Sequence, residues 1–340
     1  MSKRAALPHR KNTTILDVAS AAGVSKSTVS LVLNGSPLIK EETAAKVREV
    51  AAKIGYVYNR RAADMRNQSS NIIGVVINDL MNPFFAEVLV GIERTLVQAG
   101  YITLMAHTHE SVELQTKLMH SMREQNAAGI ILCPALGTPT RLVKEVQAWG
   151  IPLVVMVRSL GKGSYDYAGS DNALGTFLAT KHLLDKGHRR IGFLGGQSGV
   201  VFDDRLVGYR DALKKHRLKE NADLLCPALP TRQGGYDALQ RLLEVEPRAT
   251  AAVCYNDITA FGAMAALGER GIAVGRDFAI MGYDGLLDTA HSNPPLSTVD
   301  IRPGALGEAA ASLMLERLSK PETDRQRFVA APRLLLRASA

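Results

Sequence analysis

The sequence predicts an α/β protein: an N-terminal helix-turn-helix headpiece, then a two-lobed core of doubly wound parallel sheets. Three observations predict it. Residues 14–34, T-I-L-D-V-A-S-A-A-G-V-S-K-S-T-V-S-L-V-L-N, read as two short helices about one glycine. From Ser69 onward, continuous apolar runs alternate with amphipathic stretches in two successive sets. Positive charge is gathered at the front: residues 1–66 carry 12 Lys and Arg against 5 Asp and Glu, and the remaining 29 basic and 28 acidic residues nearly cancel. A small basic module on a near-neutral body is the electrostatic footprint of nucleic-acid binding.

Residues 1–12 are basic and polar and read as a disordered arm. Thr14, with Asp17 three residues on, opens the first helix as a capping pair. Ile15, Val18 and Ala19 give that helix an apolar face, and Gly23 can take the left-handed conformation that ends it. Ser25 caps a second helix whose buried side is Val29, Val32 and Leu33. Its outward positions are Lys26, Ser27, Thr28, Ser30 and Leu31. Short hydroxyl side chains allow close approach to DNA, and ammonium and hydroxyl groups can meet base edges or phosphates. An ordinary helical hairpin is the bland alternative. Gly35, Ser36 and Pro37 form a loop before a third helix over residues 41–54. Glu41 and Glu42 suit the positive end of its dipole, Lys40 is a poor cap, and Gly55 ends it.

The core begins at residue 70. Its first set has strands at 72–77, 102–106, 129–133 and 153–157, with helices over 83–99, 112–125 and 139–149. The second has a helix over 172–186, strands at 190–195, 251–255 and 278–283, and helices over 204–216, 233–244 and 257–270. Apolar strands separated by helices mean parallel sheets buried on both faces, and two sets mean two lobes.

Composition agrees with a soluble chain, at 46% hydrophobic and 22% charged. Cys133, Cys226 and Cys254 are far apart and form no C-x-x-C pair, so they read as structural thiols rather than a disulfide framework or zinc site. The basic N-terminus is followed by no apolar signal region, and no run approaches membrane-spanning length, which predicts a cytoplasmic protein without a membrane partner. No nucleophile elbow, H-E-x-x-H, Walker A loop or clustered acid–base pair is present, so no enzyme activity and no cofactor are expected.

Open α/β sheets bind ligands at the carboxyl ends of their strands. The first strand ends in Asn78-Asp79, and Asn82, Pro83, Phe84 and Phe85 follow. Amide and carboxylate groups beside an aromatic face suit a sugar. The residues also allow a plainer reading, in which Asn82-Pro83 starts a helix. One of Phe84 and Phe85 is expected in the pocket and the other in the core.

The run D-V-A-S-A-A-G-V-S-K-S-T-V-S-L-V-L-N-G resembles the DNA-reading headpiece of the LacI/GalR family of bacterial transcription regulators. The headpiece and the C-Y-N-D run at 254–257 look most like the MalI-type repressors of sugar genes. The resemblance extends over nearly the whole chain. It implies a helix-turn-helix domain at 13–55, a hinge at 56–69, and a periplasmic-binding-protein-like core at 70–340 with three crossovers. The first lobe would take about 70–168 and 300–325, and the second about 169–299 and 326–340. It also implies a homodimer on a pseudo-palindromic double-stranded operator, with Thr14, Ser25, Lys26, Ser27, Thr28, Leu31, Asn34, Asn59 and Met65 at the DNA. Met65 stands where a leucine wedge usually enters the minor groove. Tyr58 stands where Pro is usual and Ala63 where Arg is common.

For the core the resemblance implies a sugar or phosphosugar effector. Arg205, Asn256 and Asp284 match positions that hold effector hydroxyls, although each could be a helix cap or part of an inter-lobe ion pair; Asp257 reads as structural. Arg158 matches the arginine of an Asp-Arg pair, but Val157 stands where the aspartate is common, so one sugar-binding carboxylate is missing there. Together with Asn78, Asn82, Phe84 and Phe85 these form the expected effector set. The chain ends soon after R-L-L-L-R-A-S-A with no leucine heptad tail, so coiled-coil tetramers are not expected. The function implied is a sequence-specific transcriptional regulator, a repressor of a carbohydrate-utilisation operon; a solute-binding transport protein or an activator of the same fold is the alternative.

Overall fold

The computed structural model describes residues 13–33, 36–56, 70–161 and 163–340. The headpiece and the core, divided at Ser69, are separate compact units.

In the headpiece, α1 (Ile15–Ala22) opens on a complete capping box. The Asp17 amide donates to Thr14 Oγ1 at 3.4 Å, and the Thr14 amide donates to the Asp17 carboxylate at 2.7 Å. Gly23 ends it at φ 68°, in the left-handed region that costs glycine nothing. Helix α2 (Lys26–Leu33) follows at 105° to α1, the angle that lets one helix lie in a groove while the other braces it. Helix α3 (Glu41–Lys53) has no side-chain cap at Lys40. Val18, Val29 and Val47, one from each helix, are fully buried and form the centre of the small core with Ala22, Val32 and Ala44.

The core has two six-stranded sheets. In the first, β1 (Ile72–Ile77) lies between the edge strand β2 (Ile102–His107) and β3 (Gly129–Leu132); β4 (Leu153–Met156) and β5 (Asp166–Ser170) continue the sheet, all parallel. The apolar runs of the inner strands β1, β3 and β4 are buried because helices cover both faces. Among those helices are α4 (Pro83–Gln98), α5 (Val112–Glu124) and α6 (Arg141–Ala148). After β5 the chain crosses to the second lobe, with α7 (Asn172–Asp185), β6 (Ile191–Leu194), α8 (Val200–Lys215), β7 (Leu225–Cys226), α9 (Arg232–Leu243), β8 (Ala251–Cys254), α10 (Asp257–Glu269), β9 (Ala279–Asp284) and β10 (Ser297–Asp300). It then returns through α11 (Pro303–Ser319), which packs on α4 so closely that a Cβ on Gly91 would lie 2.0 Å from the Gly304 carbonyl oxygen.

The last crossover corrects the expected lobe boundary. Residues 326–340 do not all belong to the second lobe. Strand β11 (Arg327–Ala330) pairs parallel with β5 in the first sheet, and only β12 (Arg333–Leu335) joins the second, antiparallel to β10. The reason is Asp166: its buried carboxylate accepts the Gln326 amide at 2.8 Å and pairs with Arg317 of α11 at 2.8 Å, tying this segment to the first lobe. Among the described residues no single helix is long and apolar enough to cross a membrane, and no group of three His, Cys, Asp or Glu is placed to hold a metal ion.

Candidate functional site

Between the two lobes lies a chamber of about 60 Å³. The fold brings all eight expected effector residues to its wall: Asn78, Asn82, Phe84, Phe85 and Arg158 from the first lobe, and Arg205, Asn256 and Asp284 from the second. Asn78, Arg158, Asn256 and Asp284 are there because each sits at the carboxyl end of a strand, where parallel sheets present side chains to the crevice. Asn82 has a second duty, since its side-chain oxygen accepts the Phe84 amide at 3.0 Å and starts α4. Phe84 and Phe85 do not divide between pocket and core. Both are 4% exposed, both touch the chamber, and their rings meet edge to face at 5.1 Å. Consecutive helical residues can share one wall because the chamber lies at the helix's first turn, where it meets the sheet.

The first lobe's polar centre includes a residue absent from the sequence expectations. Glu110, in the turn after β2, takes both guanidinium nitrogens of Arg158 at 2.7 and 2.8 Å. It also accepts the Asn78 side-chain amide at 2.7 Å and the Leu136 backbone amide at 2.9 Å. Burial works against its charge, but the Arg158 guanidinium and these donors hold its carboxyl below the usual range. Glu110 thus supplies a carboxylate beside Arg158 where the expected neighbour, residue 157, is valine. Val157 is itself strained, at φ 65°, a conformation unfavourable to a β-branched side chain. No sequence signal singles out Glu110; an acid just ahead of a Ser-capped helix is a common surface feature. The Asn78 amide is held from its other end by the Cys133 thiol, 3.0 Å away. Burial pushes that thiol up to about 12, so Cys133 is a hydrogen-bond donor and not a nucleophile.

The second lobe's centre is Arg205, 5% exposed on α8. It donates to the Asn172 side-chain oxygen at 3.0 Å, to the Tyr255 carbonyl, and to Asp284 at 3.4 Å. Its guanidinium lies 3.6 Å from the Tyr283 ring centroid and 4.7 Å from that of Tyr255. The ion pair Arg205–Asp284 is therefore contained within one lobe. Asn256 is both a cap and a wall residue: its oxygen accepts from the amide and hydroxyl of Thr259 at 2.9 and 2.7 Å, starting α10. Asp257 faces away, accepting the amides of Gly285 and Leu286 and the Thr298 hydroxyl.

Burial lifts the Asp284 carboxyl from 3.8 to about 7 against the pull of Arg205. An acid raised on folding binds a proton in the native state that the unfolded chain releases, so its contribution to stability is greatest below the unfolded value. That contribution is lost as pH rises from about 4 through about 7. Relative to Asp284→Asn, the wild-type protein is expected to lose stability across that window, measured as the difference in Tm at matched pH; a constant difference would remove Asp284 as the titrating group.

In the headpiece, Thr14, Ser25, Lys26, Ser27 and Leu31 are exposed and Thr28 is half-buried. Ser25 is also the cap of α2, accepting the Thr28 amide at 3.1 Å, and its hydroxyl meets those of Ser27 and Thr28. Lys26, Ser27 and Leu31 are the outward members of one helix face. Asn34, Asn59 and Met65 lie outside the described residues.

Comparison with known proteins matches both units. Residues 14–59 match the family of bacterial regulatory proteins of the lacI type, and residues 70–338 match the periplasmic binding proteins and sugar-binding domain of the LacI family. The chain is 33% identical over 329 residues to the ribose operon repressor of Haemophilus influenzae, covering 96% of this chain and 98% of that one. It is 30% identical to the HTH-type transcriptional repressor PurR of Pasteurella multocida, with the same coverage. Among solved structures it is similar to the lac repressor dimer bound to operator and the anti-inducer ONPF, with TM-score 0.85, 26% identity, and 97% and 99% of the two chains covered. It is also similar to a complex of the regulator CelR with cellobiose, with TM-score 0.74, 28% identity, and 97% and 100% covered.

Proposed function

The chain belongs to the LacI family of bacterial regulatory proteins, and on that premise we propose that it is a dimeric, cytoplasmic, non-enzymatic repressor whose hold on operator DNA is set by a small sugar-like effector. One observation carries the reading: eight polar and aromatic residues from both lobes converge on one chamber in a chain that also bears a basic helix-turn-helix headpiece. A ligand touching both lobes favours one degree of closure over another, which is the condition for a ligand to shift an equilibrium. The MalI-type subgroup rests on the headpiece and C-Y-N-D residues alone.

The charges around the chamber narrow the effector. Arg158 is matched by Glu110 and Arg205 by Asp284, while Asp79 adds a further carboxylate to the wall. A phosphate would meet no uncompensated cation among these wall residues, and burying an unmatched charge is costly. We therefore favour a neutral polyhydroxyl ligand over a phosphosugar. Hydroxyls can donate to Glu110 and Asp284 and accept from the arginines.

The test of the whole reading is selection of bound genomic fragments by the purified protein, then operator gel shifts with and without sugars that raise its Tm. Salt-sensitive retardation of a pseudo-palindrome, altered by a sugar, is expected; binding that ignores sequence would sink the reading. Within it, Lys26 is the exposed first residue of α2. Lys26→Ala is expected to change preference by roughly 1–3 kcal/mol at one or two base pairs. A uniform loss over all sequences would make Lys26 a phosphate contact.

A further inference from the structure

A second, larger cavity of about 520 Å³ adjoins the chamber at the Glu110–Arg158 pair, which lines both. The two share Asn78, Asp79, Glu110, Arg158, Pro230 and Tyr255 as a common wall. Small-molecule sites generally need about 300–1,000 Å³, and the inner chamber of about 60 Å³ holds only a few water-sized bodies. A ligand seated on the inner polar groups must therefore continue outward unless the lobes part.

The lips of the outer cavity are unusually apolar for exposed surface. Leu80, Met81 and Leu136 of the first lobe are 44%, 86% and 38% exposed, and Leu229 of the second is 60% exposed. A cluster of exposed apolar side chains at one mouth marks a contact surface, whereas single ones do not. Behind them the rings of His107 and His109 stack at 3.8 Å, and His107 Nε2 lies 3.0 Å from the Asn78 carbonyl oxygen, fixing the floor. Gln197 and Thr231 add amide and hydroxyl groups from the second lobe. Apolar surface edged by hydrogen-bonding groups is what the faces and hydroxyls of a sugar ring require.

Resting on the sugar-effector reading above, we propose that the outer cavity is a subsite for a second sugar ring, so that the effector is a disaccharide or longer glycoside whose terminal ring reaches the inner polar groups. The Glu110–Arg158 pair stands at the junction, where the bridging oxygen and its neighbouring hydroxyls pass. The outer ring touches both lobes and so adds to the energy of closure.

The experiment uses the full-length protein and matched probes: methyl β-glucoside with cellobiose, methyl β-galactoside with lactose, methyl α-glucoside with maltose, and free ribose. Affinities are measured by calorimetry on wild type, Leu229→Asp and Met81→Asp, which change exposed side chains and leave the inner groups in place. In one pair the disaccharide is expected to bind at least about tenfold more tightly than its methyl glycoside, and either substitution to erase that excess while shifting the methyl glycoside by less than about twofold. Ribose or a methyl glycoside binding as tightly as the best disaccharide would overturn the subsite, as would an excess that survives both substitutions. Failure of every probe to bind would instead remove the sugar-effector reading, and the subsite with it.

Discussion

Arg205→Ala is expected to abolish the effector response and to lower the stability of the core by about 3–5 kcal/mol, the range for removing one partner of a buried ion pair. The size follows from how much converges on this one side chain. Its guanidinium answers the Asn172 oxygen, the Tyr255 carbonyl and the Asp284 carboxylate, and it stacks on two tyrosine rings. Alanine leaves those acceptors without their donor inside a closed wall, and each unsatisfied buried group carries its own desolvation cost. Asp284, already raised by burial, loses the guanidinium that pulls its carboxyl down and moves further toward the neutral form, a weaker acceptor of hydroxyl hydrogen bonds than a carboxylate.

The headpiece should be spared, because it has a hydrophobic core of its own about Val18, Val29 and Val47. Operator affinity in the absence of sugar is therefore expected to stay near wild type below the lowered Tm, while the sugar that shifts the wild type no longer changes it. Urea melts followed on the core, with gel shifts at several sugar concentrations, separate the two effects. A variant that lost stability but kept a full sugar response would show that Arg205 is a brace only. Arg205→Lys sharpens the distinction: the charge survives, but the planar fork that serves three acceptors does not.

Much of this site could be read from the chain, and the parts that could not share a physical cause. The helix-turn-helix announces itself because caps and a left-handed glycine are local: Thr14, Gly23 and Ser25 act within three or four residues of themselves. Inner strands such as β1 and β8 announce themselves by unbroken apolar runs. The cleft residues follow from one topological rule about strand ends, aided for Arg205, Asn256 and Asp284 by the family resemblance. Glu110 was invisible because its meaning is a pairing with Arg158 across 48 residues. Strands β5 and β11 were invisible for a related reason. D-Y-A-G-S and R-F-V-A lack the apolar pattern, and they are placed by the buried Asp166–Arg317 pair and the ladder between them. Short-range chemistry is legible in one sequence; a long-range polar pair becomes legible only once the sheet has put its members side by side.

Charging the outer edge of the first sheet is expected to produce a monomer that binds operator about 10²–10⁴-fold more weakly, the loss that follows when a second binding module is no longer tethered to the first. Strand β2 has β1 on one side and, among the described residues, no strand on the other. Exposed edge strands are ordinarily protected by lysine, proline, a bulge or an inward charge. This one reads I-T-L-M-A-H, with Ile102, Leu104 and Met105 at 53%, 39% and 43% exposure. Val90 and Val97, one pair of turns apart on α4, add two more exposed apolar groups to the same lobe at 54% and 57%. Such a surface fits a second copy of the same chain, as the proposed reading of a two-fold operator requires, since a symmetric dimer uses the same patch on both partners. Leu104→Asp and Met105→Asp place carboxylates in that patch without touching the chamber. Sedimentation should then report monomer at concentrations where the wild type is dimeric, sugar binding should persist, and the protection of two half-sites in a footprint should fall to one or vanish. A charged edge with an intact dimer would move the interface elsewhere on the core.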